Sequence, residues 1–252
     1  MANAKYELLS SDQLTMACGA KLQRIRALTH ILAHQVEPGD LGGYIESEQN
    51  LCPFGDAWVG GSALVYHSAR VQDCALITGH AKAYDNALLK DFSRMGGFAT
   101  IRGRAQLHDG AALTDWATAE DSAIICNTAK AADATIVRGS ARLSGNVRLF
   151  NHATVYEQAQ LHGDAWAFGY ARIGGQAQLS ENVLVCAHAK ISGTATLFGN
   201  VSVFGEARVR GEIVLCGVER VGGKRVLDGN DWHGTPQGAS TRAGRAPRIH
   251  RR

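Results

Sequence analysis

The sequence is poor in proline and methionine, with four and three residues among 252, and contains no apolar run long enough to span a membrane. Its N-terminus, MANAKYELLS, lacks the basic and then apolar build of a secretory signal, so we expect a cytoplasmic protein without a membrane partner. The six cysteines form no CxxC pair and have no zinc-like histidine spacing, which predicts reduced thiols and no metal site. No hydrolase, metalloprotease, P-loop or dinucleotide motif occurs, so the sequence predicts no catalytic residue and no cofactor.

The positive net charge is confined to the C-terminus. Five arginines and no acidic residue follow Asp231, and removing these five from the 26 basic residues leaves 21 against 23 acidic ones. The body of the protein is therefore slightly acidic, and we expect no specific nucleic-acid partner. The Gly-, Ser- and Arg-rich segment 232–252 is expected to be a basic disordered tail.

A strict six-residue period runs through most of the chain. A small residue recurs at 27 consecutive positions from Ala57 to Ile213, and Val, Ile or Leu stands two residues later in 22 of these units. Glycine lies two residues before the small residue in 14 units, and Asp or Asn in nine. A period of six excludes an amphipathic helix. Because residues two apart share one side of a strand, and Gly, Asp and Asn favour turns, each unit predicts a short strand followed by a turn.

Three units close a triangular coil of 18 residues, and stacked coils bury a continuous apolar column. The sequence therefore predicts an all-β fold, a single-stranded triangular β-helix of about nine coils over residues 55–217. Residues 1–54 lack the period and are expected to form an N-terminal β cap, since a solenoid end exposes unpaired strand edges. We expect strands at 5–9, 22–28 and 44–45. The sequence VGGK at 221–224 predicts a C-terminal hairpin cap over residues 218–231.

Three segments resemble one protein family. They are RIRAL (24–28), GDLGGYIESEQNL (39–51) and GDAWV (55–59), the last followed by A-x-V units. Together they are similar to phage- and prophage-associated hexapeptide-repeat β-helix proteins, usually described as transferases. The resemblance implies the fold of the trimeric, left-handed β-helix acyltransferases. Here, however, glycine tends to follow the aliphatic residue by two positions rather than one, and a right-handed, bactofilin-like helix is the alternative.

Residues 18 apart stack into columns on the surface of such a helix. One outward column is dominated by rings, and it comprises Ser62, His80, Phe98, Trp116, Ala134, His152, Tyr170, His188 and Glu206. A long exposed aromatic stripe is a liability unless it is covered. We therefore expect a homotrimer with an interface formed by Phe98, Trp116, His152, Tyr170 and His188.

Several arginines fall on columns near these rings. A cation beside an aromatic face suits a phosphate with an attached base. The expected ligand-binding residues are Arg102, Arg104, Trp116, Arg138 and Tyr156. The partner would be a small anionic ligand, such as a cyclic nucleotide or a dinucleotide.

Three functions are compatible with these features. The first is a non-catalytic trimer that sequesters the anionic ligand in clefts between subunits, which the phage resemblance relates to a host defence signal. The second is an acyltransferase that uses acetyl-CoA, with His80, His152 or His188 as the base. The uninterrupted repeats leave no loop to shape its acceptor site. The third is a structural rod.

Overall fold

A computed structural model describes residues 4–229 as a parallel β-solenoid of about ten turns. Strands 18 residues apart lie side by side, as where Ile136 pairs with Thr118 below and Thr154 above. Three sheets form the sides of the coil, and we number them in the order of the strands of the first coil, β4 (Trp58–Val59), β5 (Leu64–Val65) and β6 (Arg70–Val71). The predicted all-β solenoid with 18-residue coils is confirmed, and the hand of the coil stays a prediction.

Each strand of the coils is only two or three residues long. Sheet 1 has ten strands: β4 (Trp58–Val59), β7 (Leu76–Ile77), β10 (Arg94–Met95), β13 (Ala112–Leu113), β16 (Lys130–Ala131), β19 (Arg148–Leu149), β22 (Trp166–Ala167), β25 (Leu184–Val185), β28 (Ser202–Val203) and β31 (Arg220–Val221). Sheet 2 has 13 strands: β1 (Tyr6–Thr15), β2 (Lys21–Ala27), β3 (Leu41–Ile45), β5 (Leu64–Val65), β8 (Lys82–Ala83), β11 (Thr100–Ile101), β14 (Thr118–Ala119), β17 (Ile136–Val137), β20 (Thr154–Val155), β23 (Arg172–Ile173), β26 (Lys190–Ile191), β29 (Arg208–Arg210) and β32 (Val226–Asp228). Sheet 3 has nine strands: β6 (Arg70–Val71), β9 (Leu88–Leu89), β12 (Gln106–Leu107), β15 (Ile124–Ile125), β18 (Arg142–Leu143), β21 (Gln160–Leu161), β24 (Gln178–Leu179), β27 (Thr196–Leu197) and β30 (Val214–Leu215).

The corners between strands require a left-handed backbone. Gly175 has φ +69°, and a Cβ there would lie 2.5 Å from the carbonyl oxygen of Gly193 in the next coil. Several corners carry Asp instead, and its carboxylate accepts a hydrogen bond from the coil above. Asp121, for example, has φ 60°, and the Gly139 N–H donates to its Oδ2 at 2.9 Å. This hydrogen bond offsets the strain of a non-glycine residue at the corner.

The core is the continuous column that the six-residue period predicts. The small residues and their aliphatic partners are almost completely buried, whereas the strand residue between them is at least partly exposed in every unit but the first, where Trp58 is buried. In β17, Val137 has no exposed surface while the preceding Ile136 is 38% exposed. The six-residue period therefore corresponds to the interior positions of the strands, because neighbouring strand residues alternate between the interior and the solvent.

The N-terminal cap is an antiparallel extension of sheet 2. β1 pairs with β2 and β2 with β3, after which β3 pairs in parallel with β5 of the first coil. The cap also contains two short 3₁₀ helices, Leu32–His34 and Glu48–Asn50. The expected cap is present, and β1 extends beyond the predicted segment.

The segment that carried the family resemblance joins the cap to the first coil. A Cβ on Gly43 would lie 2.4 Å from the carbonyl oxygen of Ala63, so only glycine allows this approach. Buried Asn50 donates through Nδ2 to the carbonyl oxygens of His67 and Ala69, each at 2.9 Å. The glycines and the asparagine of GDLGGYIESEQNL therefore have a structural role.

The prediction of a C-terminal hairpin is wrong. β31 and β32 lie in different sheets, where they pair in parallel with β28 and β29. Gly223, with φ +68°, forms another corner of the solenoid rather than a hairpin turn. A Gly-Gly pair between valine-bearing segments is compatible with a hairpin turn and with a solenoid corner. The corner forms here because the strands on either side pair with the exposed edges of the preceding coil. The predicted tail at 232–252 lies outside the described residues. Within residues 4–229, no helix is long and apolar enough to cross a membrane.

Candidate ligand-binding face

The outer side of sheet 2 carries most of the predicted functional residues. We call the column of residues just before its strands, from Ser62 to Glu206, the ring column. In each coil the ring column lies before the strand of sheet 2. A second column, which contains Arg102 and Arg138, lies after that strand, four residues beyond the ring column. At about 3.3 Å per residue the two columns are roughly 13 Å apart.

The ring column consists of two separate stacks of three rings. In the lower stack, His80, Phe98 and Trp116 have centroid spacings of 5.0 and 5.5 Å and interplanar angles of 11° and 6°. In the upper stack, His152 and His188 lie on either side of Tyr170, with spacings of 4.8 and 5.0 Å and angles of 8° and 2°. Ala134 separates the stacks. Phe98, Trp116 and Tyr170 remain 51%, 64% and 54% exposed, so the column presents a large aromatic surface to solvent.

The three histidines proposed as possible bases are all members of these stacks. In the part of the chain that the structure describes, none of their side chains forms an ion pair with a carboxylate. A general base usually needs such a partner to orient its ring. Their stacking geometry is typical of a binding or packing surface.

The structure separates the two arginines that the sequence grouped together. Arg102 donates from Nε to Glu120 Oε2 at 2.9 Å and also forms an ion pair with it through Nη2. The hydrogen bond to Glu120 raises the pKa of Arg102. The charge of Arg102 is therefore compensated within the chain, and this arginine is a poor candidate for binding an anion.

Arg138 and Tyr156, in contrast, are brought together. The Arg138 guanidinium carbon lies 5.7 Å from the centroid of the Tyr156 ring, and that of Arg172 lies at the same distance from this ring. We call these three residues the arginine clamp. The ring packs against Gly174, where a Cβ would lie 2.3 Å from the Tyr156 Cζ. Neither arginine forms an ion pair within residues 4–229, so two uncompensated cations share one aromatic ring.

The two remaining predicted residues lie elsewhere. Arg104 lines a shallow open depression at the far corner of sheet 2, with Asp85 and Asp121 among its neighbours. Trp116 stacks on Phe98, and among the described residues no arginine or lysine lies over its ring. The five predicted ligand-binding residues therefore do not form a single site.

Sequence reasoning missed a row of cations on the strands of sheet 2. Arg172, Lys190 and Arg208 occupy the same outward position on successive coils and pair directly with one another in register. All three are exposed, and none has a carboxylate within ion-pair distance in the described chain. We call them the cation row. Reading the strand positions at intervals of 18 would have revealed it.

A separate group of potential metal ligands lies between sheet 3 and sheet 1. Ligand atoms of Asp91, His108 and Asp109 all lie within 4.8 Å of one another. Asp91 accepts from the backbone of Asp109, and Asp109 accepts from the backbone and side chain of Asn127. The backbone hydrogen bond from Asn127 lowers the pKa of Asp109. The two aspartates of this cluster thus serve as hydrogen-bond acceptors at the corners of the solenoid.

Comparison with known proteins found no protein-family model that matches the chain and no curated protein with a significant match.

Proposed function

We propose that this protein is a non-catalytic homotrimer that binds a small anionic, nucleotide-like ligand on the outer side of sheet 2, in clefts between subunits. The cation row carries this proposal. Like charges on directly opposed strand positions destabilise a sheet, and Arg172, Lys190 and Arg208 have no compensating carboxylate among residues 4–229. A bound polyanion would remove the repulsion and satisfy the guanidinium and ammonium donors.

The surroundings of the cation row favour a phosphate ester with an attached ring. Tyr170 and His188 of the upper stack lie two residues before Arg172 and Lys190, so rings and cations alternate along the same coils. The arginine clamp extends the cationic surface to Arg138. Arginine binds phosphate through paired hydrogen bonds, and aromatic rings bind bases by stacking.

The homotrimer part of the proposal depends on the ring column. Phe98, Trp116 and Tyr170 are each more than half exposed, although large aromatic residues on a soluble protein are usually covered. A subunit boundary along this column would bury part of it and place the cation row at the edge of the cleft. The resemblance to phage proteins suggests that the ligand is a host defence signal that the trimer sequesters.

The test is calorimetry with mono-, di- and cyclic nucleotides on the wild-type protein and on Arg172→Ala. A charge-assisted hydrogen bond to phosphate contributes about 1.5–3 kcal/mol, so Arg172→Ala should weaken binding by roughly tenfold to a hundredfold. Arg142→Ala is the matched control, because Arg142 has the equivalent exposed strand position on sheet 3. Equal losses in both variants would contradict the assignment.

Assembly and catalysis are tested alongside. Light scattering should give three times the 26.9 kDa chain mass, and a monomer at micromolar concentration would contradict the trimer. If no nucleotide binds but acetyl-CoA does, and acetyl transfer depends on His152, the protein is an acyltransferase instead.

A further inference from the structure

The break in the ring column is a change of side chain and not of backbone. The backbone N–H of Ala134 donates to the carbonyl oxygen of Asn151 at 2.9 Å. The backbone N–H groups of Trp116 and His152 make the same hydrogen bond, to the carbonyl oxygens of Asp133 at 2.9 Å and Gly169 at 2.8 Å. The coil therefore keeps its regular rise through Ala134, and a single ring is missing between Trp116 and His152. We call the space over Ala134 between these two rings the Ala134 slot.

The slot has the dimensions of one planar ring. Two strand spacings of about 4.8 Å place the flanking rings roughly 9.6 Å apart. A ring midway between them would lie about 4.8 Å from each, which matches the 4.8–5.5 Å spacings within the two stacks. Inserting a planar group would therefore produce an unbroken stack of seven rings without moving either neighbour.

The inner wall of the slot is apolar and its edges are polar. Ala134 forms its floor, with Ala132 before it in the chain and partly exposed Ile136 after it. The residues that pair with Ile136 are Thr118 and Thr154, which are both partly buried. An apolar floor flanked by hydroxyl groups suits a flat ring with polar atoms on its edge.

The exposure of Trp116 supports an occupant. Phe98 lies between two rings and is 51% exposed, whereas Trp116, with a ring on one side only, is 64% exposed. An exposed indole face opposite an imidazole face is an arrangement in which aromatic side chains bind bases.

We propose that the Ala134 slot binds the planar heteroaromatic base of a nucleotide, which stacks between Trp116 and His152 while its phosphate contacts the cations of sheet 2. This inference rests on the proposed function and adds to it the position of the base. Arg172 lies two coils above the slot, and its guanidinium group is directed toward the Tyr156 ring, which lies one coil above the slot. A phosphate joined to the base through a ribose would therefore extend from the slot toward the arginine clamp.

The test fills the slot with the protein's own ring. Ala134→Trp should complete the stack and weaken the binding of nucleoside 5′-monophosphates and cyclic dinucleotides by roughly tenfold to a hundredfold, which is the usual contribution of base stacking. Pyrophosphate, which has no base, should bind this variant as it binds the wild type. Ser62→Trp is the matched control, because it extends the lower end of the ring column and leaves the slot open.

A second pair of variants covers the case in which Ala134→Trp fails to fold. Trp116→Ala removes one wall of the slot and should weaken nucleotide but not pyrophosphate binding. Trp166→Ala removes an exposed ring on sheet 1, outside the ring column, and should change both affinities little.

The outcomes separate this inference from the proposed function. If Arg172→Ala reduces nucleotide binding but Ala134→Trp and Trp116→Ala do not, the base lies elsewhere and the slot assignment is overturned. If neither nucleotides nor pyrophosphate bind the wild-type protein, both proposals are overturned.

Discussion

A buried charge in the middle of the solenoid should prevent folding, and Val137→Asp is the sharpest form of this test. Val137 has no exposed surface and lies in β17, with several coils on either side. Losing a buried valine costs about 1.5–3 kcal/mol. Burying an unpaired carboxyl group, even protonated, costs roughly 2–7 kcal/mol more.

The sum, roughly 4–10 kcal/mol, approaches the whole stability of a typical domain, which is about 5–15 kcal/mol. In a solenoid each coil is stabilised by its two neighbours, so a defect in the middle weakens both halves. We expect Val137→Asp to be unfolded or to melt at least about 10 °C below the wild type, as measured by circular dichroism.

Two controls make this result interpretable. Ile136→Asp changes the preceding residue, which points outward, and should shift the melting temperature by only a few degrees. Val221→Asp places the same charge in the last turn, where only local fraying is expected. If Val137→Asp melted like the wild type, or if Ile136→Asp were equally damaging, the assignment of inward and outward positions would be refuted.

Two further predictions concern the cap and the clamp. Burial lowers the pKa of Lys5 from 10.5 to about 8. Between these two pH values the unfolded state binds more protons than the folded state. The free energy of unfolding should therefore rise by up to about 3 kcal/mol as the pH increases across this range. Denaturant titrations should show this rise in the wild type and not in Lys5→Met; equal slopes would contradict it. Gly174→Ala should cost about 1–3 kcal/mol by overpacking against Tyr156, and adding Tyr156→Ala should remove that extra cost. A double-mutant cycle without coupling would show that the ring does not rest on Gly174.

The sequence could not show which arginine forms an ion pair with Glu120 and which one contacts an aromatic ring. Glu120 lies 18 residues from both Arg102 and Arg138, so the period alone allows either pairing. The structure pairs it with Arg102 and leaves Arg138 over the Tyr156 ring. This choice depends on side-chain rotamers and on the space beside Gly174, which the repeat does not encode. Arg138 and Tyr156 of the predicted site therefore contact each other. Arg102 is paired with Glu120, Arg104 lies at the far corner of sheet 2, and Trp116 belongs to the ring column.

The six-residue period by itself determined the solenoid, its 18-residue coils and the burial of positions such as Val137. These features depend only on the alternation of strand residues and on the turn-forming residues within each six-residue unit. Tertiary structure decided the features that depend on contacts between coils. The Gly-Gly corner at 222–223 continued the helix because the strand edge of the preceding coil was available for pairing. The rings of the ring column became two parallel stacks with a gap at Ala134 because the rise between coils is close to the spacing at which aromatic rings stack.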